Sequence, residues 1–226
     1  MGRKFRRNLL ALLALSLPLP AQDALAQRAA TGDASDGKLI SRAGQCQECH
    51  GEAGISTSEH YPNLAGQNES YLRKQLADFQ SGARQSEIMN AMASELSKEN
   101  IASIAAYFAR APAMGAAKSD NGALGQSLFD NGDETRALPP CAACHGGRSK
   151  GGTPAESPIP VLAGQRESYL IAQLWSWKAD NRTNSPGGVM NAIGHALTDT
   201  DIDALAKYLA GSLAPVSWET GAKPGP

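Results

Sequence analysis

Beyond its amino terminus, this chain has no apolar run approaching the roughly 20 residues that a membrane helix needs, no cluster of Lys and Arg, and no sustained apolar–polar alternation of the strand kind. The first lack excludes a body built of membrane spans. The second argues against nucleic acid, because phosphate backbones are held by basic patches. The third leaves helices as the elements that must form the core. Cysteine is scarce as well: there are 4 among 226 residues, all in two C-x-x-C pairs with none left over.

What is present begins with a leader. Arg3, Lys4, Arg6 and Arg7 precede an apolar run from Leu9 to Leu19, and Ala24-Leu25-Ala26 follows. A basic segment, a short apolar core and a small-x-small site make a secretory signal peptide over residues 1–26, with the mature chain beginning near Gln27. The alternative is that the leader is kept as an anchor; cleavage would leave no transmembrane anchor. Export to the periplasm is the expected localisation. Without the leader, 17 basic residues face 21 acidic ones, a net charge of −4.

The chain repeats itself. Leu64-Ala65-Gly66-Gln67 recurs as Leu162-Ala163-Gly164-Gln165, each followed by x-Glu-Ser-Tyr-Leu-x-x-Gln-Leu. Met89-Asn90-Ala91 recurs as Met190-Asn191-Ala192, and Cys46-x-x-Cys49-His50-Gly51 as Cys141-x-x-Cys144-His145-Gly146. Motifs in one order along two halves mean duplicated domains, expected over residues 27–112 and 113–226, with Ala111 to Asn121 as linker. The offset between copies grows from 95 residues at the cysteines to 98 and then 101. The added residues fall in turn-rich stretches, 151–160 and 181–188. A further insertion, 133–140, precedes the second cysteine pair. All three read as loops that leave the packed elements unchanged. The tail from Ala214, with Trp218, has no counterpart in the first copy and is expected to be disordered.

Three helices are expected per copy. The first is short, bracketed by Gly37 and Gly44 or by Gly125 and Gly132, and runs into the cysteines. The second covers about 69–80 and 167–179, with Tyr71, Leu72, Leu76 and Phe79 on one face. The third follows a Ser97 or Thr198 N-cap, and buries Ile101, Ile104, Ala105 and Phe108 or their equivalents Ile202, Leu205, Ala206 and Leu209. Three short helices make a thin core, so something else must fill its centre.

The cysteines say what. C-x-x-C-H is the attachment site of c-type haem: two thiols bond covalently to the porphyrin and the adjacent histidine ligates the iron. Zinc knuckles would make the histidine after each pair a coincidence. Thioredoxin-like pairs need a βαβ context that is missing, and so tight a pair rarely serves as a structural disulfide. Two covalent haem c groups are the expected cofactors, on Cys46 and Cys49 with His50, and on Cys141 and Cys144 with His145.

From about Gly37 to Leu209 the chain resembles the dihaem cytochrome c4 proteins, each half looking like a class I cytochrome c. The resemblance rests on both C-x-x-C-H-G motifs, on Pro62 to Gln67 and Pro160 to Gln165, on Tyr-Leu-x-x-Gln-Leu and on the methionines before Leu-Ser or Leu-Thr. It implies an all-α fold of two tandem cytochrome c-like domains, each a few helices wrapped around a covalently bound haem. It also implies an electron carrier of the periplasm, working between a quinol-oxidising complex or a dehydrogenase as donor and a terminal oxidase as acceptor. By the same resemblance the carbonyls of Pro62 and Pro160 orient the histidine ligands, unless the prolines answer only to a turn. Many relatives differ in charge between halves; here each half carries −2.

The resemblance also supplies methionine as the second axial ligand, and the repeat chooses among candidates. Aligning Leu96 with Leu197 sets Met89 opposite Met190 and Met92 opposite Ile193. A position that accepts isoleucine does not require sulfur, so Met89 and Met190 are the expected ligands and Met92 is packing. Irons closed on both sides leave no position for peroxide or oxygen. Arg84 and Arg182 occupy matching positions and pair with haem propionates or stand as solvated loop arginines. Phe79 and Trp177 line the haem pocket, where the Trp177 N–H needs a partner. His60 and His195 lack counterparts and read as surface residues. Three functions stay open: a diffusing carrier, an electron-accepting subunit of a periplasmic dehydrogenase, and a dihaem peroxidase.

Overall fold

The computed structural model describes residues 32–114, 122–146 and 158–211. The leader, most of the linker and the tail with Trp218 lie outside the described residues. Among those described, no helix is long and apolar enough to cross a membrane, and the only β feature is a bridge between Asp133 and Leu138.

The first copy contains α1 (Ala34–Ala43), α2 (Cys46–His50), α3 (Glu69–Ser81), α4 (Glu87–Ala93) and α5 (Lys98–Ala109). The second contains α6 (Ala123–Asn131), α7 (Ala142–His145), α8 (Glu167–Lys178), α9 (Val189–Ala196) and α10 (Asp199–Ala210). The three expected helices of each copy are therefore joined by two more. One is the single turn that carries the cysteines. The other is the short helix that carries Met89 or Met190, too brief for a 3.6-residue period to show in the sequence.

The last helix organises each copy. The Ser97 hydroxyl accepts from Asn100 N, and the Asn100 side chain accepts in turn from Ser97 N; Thr198 and Asp201 do the same for α10. These reciprocal caps satisfy amides that the first turn would otherwise leave unpaired. Ile104, Ala105 and Phe108 pack with Leu72 in one core. Ile202, Leu205, Ala206 and Leu209 pack with Leu170, Leu128 and Phe129 in the other.

Gly37 and Gly125 do not bracket the first helix of each copy; they lie within it. A Cβ on Gly37 would stand 1.9 Å from Ser103 O, and one on Gly125 2.2 Å from Ala204 O. Each glycine is the point where the first helix touches the last.

The insertion 133–140 is not a loop laid over a finished core. Leu138 is 2% exposed and belongs to the second core. Asp133 and Leu138 exchange backbone bonds of 2.7 and 3.0 Å, and Arg136 pairs with both Asp133 and Asp201. A Leu within a turn-rich segment carries no periodicity, so nothing local marked it as buried.

The copies meet face to face, and the repeated motifs make the contact. Gln67 Nε2 donates to Val161 O at 2.9 Å, and its Oε1 accepts from Val161 N at 2.7 Å. Reciprocally, Gln165 Nε2 donates to Asn63 O at 2.9 Å and its Oε1 accepts from Asn63 N at 2.7 Å. Each side-chain amide thus pairs with a backbone of the other copy as a neighbouring strand would. The first residues of the linker join this seam: Met114 is 1% exposed, with its sulfur 3.7 Å from Gln165 Nε2.

Candidate functional site

One continuous cavity of about 910 Å³ runs through both copies. Its walls include Cys46, Cys49, His50 and Met89 from the first and Cys141, Cys144, His145 and Met190 from the second, so the residues expected to hold two haems line one space. Phe79, Leu72 and Phe108 line the first half of it, and Trp177, Leu170 and Leu209 the second.

The cysteine turns are built for this. Within α2, Cys46, Cys49 and His50 fall on one short helical turn, ended by Gly51 at φ +78°. A side chain there would set its Cβ 2.0 Å from Ile55 O, which is why glycine follows the histidine; Gly146 takes the same conformation at φ +77°. Burial pushes the Cys46 thiol above its ordinary value and the Cys141 thiol up to about 11. Neutral sulfur suits these walls, and a thioether is neutral.

The histidines are oriented. His50 Nδ1 lies 2.9 Å from Pro62 O, and His145 Nδ1 lies 3.0 Å from Pro160 O. A carbonyl oxygen only accepts, so each Nδ1 carries the proton and each Nε2 keeps its lone pair for a metal. Burial lowers both imidazoles below their usual value, against the raising effect of the proline carbonyls, which favours the neutral ligating form. Two thiols, a directed imidazole nitrogen, a thioether sulfur and apolar walls, present twice, fit two covalent haem c groups. Both prolines therefore do more than shape a turn.

Met89 and Met92 both line the cavity, as do Met190 and Ile193. Met92 is 42% exposed while Met89 is half-buried. Each favoured methionine has its amide fixed by a serine: Met89 N donates to Ser86 Oγ at 3.3 Å and Met190 N to Ser185 Oγ at 3.2 Å. Asn90 Nδ2 then bonds Phe79 O and Arg84 O, and Asn191 Nδ2 bonds Trp177 O and Arg182 O. The repeated Met-Asn is a methionine with the clamp that ties its helix to α3 or α8.

Arg84 and Arg182 are not solvated loop residues; they are 8% and 7% exposed. Arg84 donates to Gln75 in its own copy and to Tyr169 Oη (3.0 Å) and Gln173 Oε1 (2.8 Å) in the other. Arg182 mirrors it, donating to Gln173 in its own copy and to Tyr71 Oη (3.4 Å) and Gln75 Oε1 (2.8 Å) across the seam. Each guanidinium also lies over the aromatic ring of its own copy, 4.6 Å from the centroid of Phe79 and 4.3 Å from that of Trp177. Burial would raise the Tyr71 phenol, but Arg182 and Arg84 outweigh it and bring it below its ordinary value. These Gln and Tyr acceptors are all neutral, so two buried cations flank the cavity with their charge unmatched by the groups they bond.

Sequence reasoning missed Gln67, Gln75, Tyr71 and their equivalents as interface residues, although they recur in both copies. The usable signal was identity at polar positions that packing within one copy does not need. His195 is on the surface, 3.1 Å from Asp180; His60 is exposed, at the rim of the cavity.

A family model described as cytochrome c matches the chain twice, over residues 34–111 and 122–212. The thiosulfate dehydrogenase electron acceptor of Stutzerimonas stutzeri is 36% identical over 87% of this chain and 90% of its own length. Cytochrome c4 of Pseudomonas aeruginosa is 36% identical over 80% of this chain and 90% of its own. The crystal structure of reduced recombinant cytochrome c4 from Pseudomonas stutzeri superposes with a TM-score of 0.74 at 33% identity, covering 80% of this chain and 98% of that one.

Proposed function

The chain belongs to the cytochrome c4 family of dihaem electron-transfer cytochromes, and on that premise we propose that it is an exported periplasmic carrier passing single electrons from a quinol-oxidising complex or a dehydrogenase toward a terminal oxidase. The observation that carries this reading is the two-fold recurrence, in one cavity, of a cysteine pair, a histidine with its Nε2 left free by a proline carbonyl, and a methionine. Haem iron supplies a one-electron Fe(III)/Fe(II) couple, and histidine–methionine ligation favours the reduced state.

The chain's own residues do the rest. Cys46, Cys49, Cys141 and Cys144 would anchor the two groups covalently. His50 and His145 would offer Nε2 to the irons, held in that tautomer by Pro62 and Pro160. Met89 and Met190 would supply the thioether ligands, and with both in place no coordination position would be left for peroxide. Arg84 and Arg182, lying over Phe79 and Trp177 respectively, would supply the positive charge for propionates. Residues 1–26 direct export, and the units 27–112 and 113–226 then hold one haem each.

A second reading, an electron acceptor dedicated to a dehydrogenase, draws on the relative named as acceptor for thiosulfate dehydrogenase. Mixing decides between the two. The reduced protein should be oxidised by membranes containing a terminal oxidase, without turning over hydrogen peroxide. Tight co-purification with a dehydrogenase and no transfer to membranes favours the second reading; peroxide turnover overturns both. Recovery in the osmotic-shock fraction, with Gln27 near the new amino terminus, tests export.

A further inference from the structure

The seam between the copies is reciprocal in its glutamines and arginines but not at the methionine loops. Four residues separate Arg84 from Met89, and seven separate Arg182 from Met190. Within the longer loop, Asn184 reaches the first copy. Its Nδ2 donates to Gln75 Oε1 at 3.1 Å and to the Asp78 carboxylate. Its backbone carbonyl accepts from Lys74 Nζ at 2.7 Å, while its Oδ1 accepts from Arg182 Nε at 2.9 Å. Lys74 and Asp78 are themselves paired, one turn apart on α3. The next residue, Ser185, is the one whose hydroxyl holds the Met190 amide.

Among the described residues, no equivalent set of bonds runs the other way. The positions on α8 that correspond to Lys74 and Asp78 are Ala172 and Ser176, and the Ser176 hydroxyl turns back to Ala172 O at 2.8 Å. In the shorter loop Gln85 bonds Gly82 O, within its own copy.

We propose that Asn184 is a positioning residue that fastens the Met190 loop directly to helix α3 of the first copy, a tie to the second iron's thioether that the Met89 loop does not make in return. A bond from a neutral donor to a half-buried carboxylate is among the stronger hydrogen bonds a surface loop can make. Removing it frees the three extra residues, two of which are glycines, Gly187 and Gly188, at φ +64° and +68°. Loosening α3 of one domain would then be felt at the iron of the other. This rests on Met190 as a ligand.

The experiment uses the full ferric holoprotein and the hyperfine-shifted NMR signals of the two ligand methyls. Met190→His identifies the second iron by which signal disappears; if both thioether signals survive, the ligand reading fails whatever Asn184 does. Asn184→Ala and Asp78→Ala are then titrated with guanidinium. At a fixed sub-denaturing concentration, each should raise the methionine-dissociated fraction roughly tenfold at the second iron, with the first unchanged. Asp78→Asn, which keeps a neutral acceptor in reach, should show a smaller rise than Asp78→Ala. Asp78 sits on the first copy's own helix, so a local disturbance would act on the first iron. A change confined to that iron, an equal change at both, or none at either overturns the proposal.

Discussion

Two methionines compete for the first iron, and the residues around them set the outcome to expect. Met89 has its amide capped by Ser86 and its neighbour Asn90 tied to Phe79 O and Arg84 O, whereas Met92 is 42% exposed. Met89→His should remove half of the weak far-red absorption of ferric iron–thioether bonding and lower one of the two reduction potentials. Met92→Leu, close in volume, should leave both nearly unchanged. Loss of the band in Met92→Leu and its retention in Met89→His would reverse the assignment. The position of each cysteine, histidine and ligand-candidate methionine was legible in the sequence, because covalent and metal chemistry demands particular atoms at fixed spacing. Arg84 and Arg182 were legible only as a matched pair. Their burial depends on the other copy, and no local pattern records partners 85 to 111 residues away.

At the scale of elements, the two last helices are built alike but capped by different chemistry: Asn100 closes α5 and Asp201 closes α10. Burial pushes the Asp201 carboxyl up, but bonds from Arg136 and Thr198 outweigh it and hold it below the usual 3.8. A carboxyl lowered in the folded state adds stability that is full above its unfolded pKa and is lost as pH falls through the folded one. The second copy should therefore lose stability through this group as the pH falls below about 4, the range of an unfolded Asp. Asp201→Asn should cost about 1–3 kcal/mol at neutral pH and flatten that decline, measured by acid unfolding of each haem's visible band. A decline of unchanged steepness would show that Asp201 does not carry it. Helix contact can be tested in the same way. Gly125→Ala places a methyl 2.2 Å from a backbone oxygen, so overpacking on the order of 3 kcal/mol is expected, read from thermal unfolding of the second copy. An unaltered midpoint would mean that α6 and α10 separate at little cost. The long helices were foreseen from their apolar spacing. The methionine-bearing α4 and α9 were not, being 7 and 8 residues long, too short for the period of an apolar face to stand out, although Ile193 and Ala196 of α9 pack on the second core; the Asn90 and Asn191 clamps that fix them leave no local pattern either.

For the whole molecule, two haem groups per chain should survive extraction with acidified acetone, because thioether bonds are covalent. Cys46→Ala with Cys49→Ala should yield one haem by pyridine haemochrome and leave the spectrum of the second intact; a protein that loses both would show that the copies do not hold their cofactors separately. The duplication was plain from the repeated motifs. That the same motifs form the seam was not, since a residue identical in both copies reads first as something each copy needs for itself.

The glutamine exchange at that seam has a consequence for how such a chain can change. Gln67 addresses Val161 and Gln165 addresses Asn63, each by backbone atoms alone. A contact of this form is what two identical subunits related by a two-fold axis would make, and it places no demand on the side chain it grips. Joining the halves in one polypeptide replaces concentration-dependent pairing with an effective concentration set by the linker, in the millimolar range for a short one. It also ends the rule that every substitution at the contact occurs twice. Asn63 against Val161, Lys74 against Ala172 and Phe79 against Trp177 are already unlike pairs. Fusion is thus what permits one methionine loop to grow and cross the axis while its twin stays short, and what lets two sites of common design drift toward different reduction potentials.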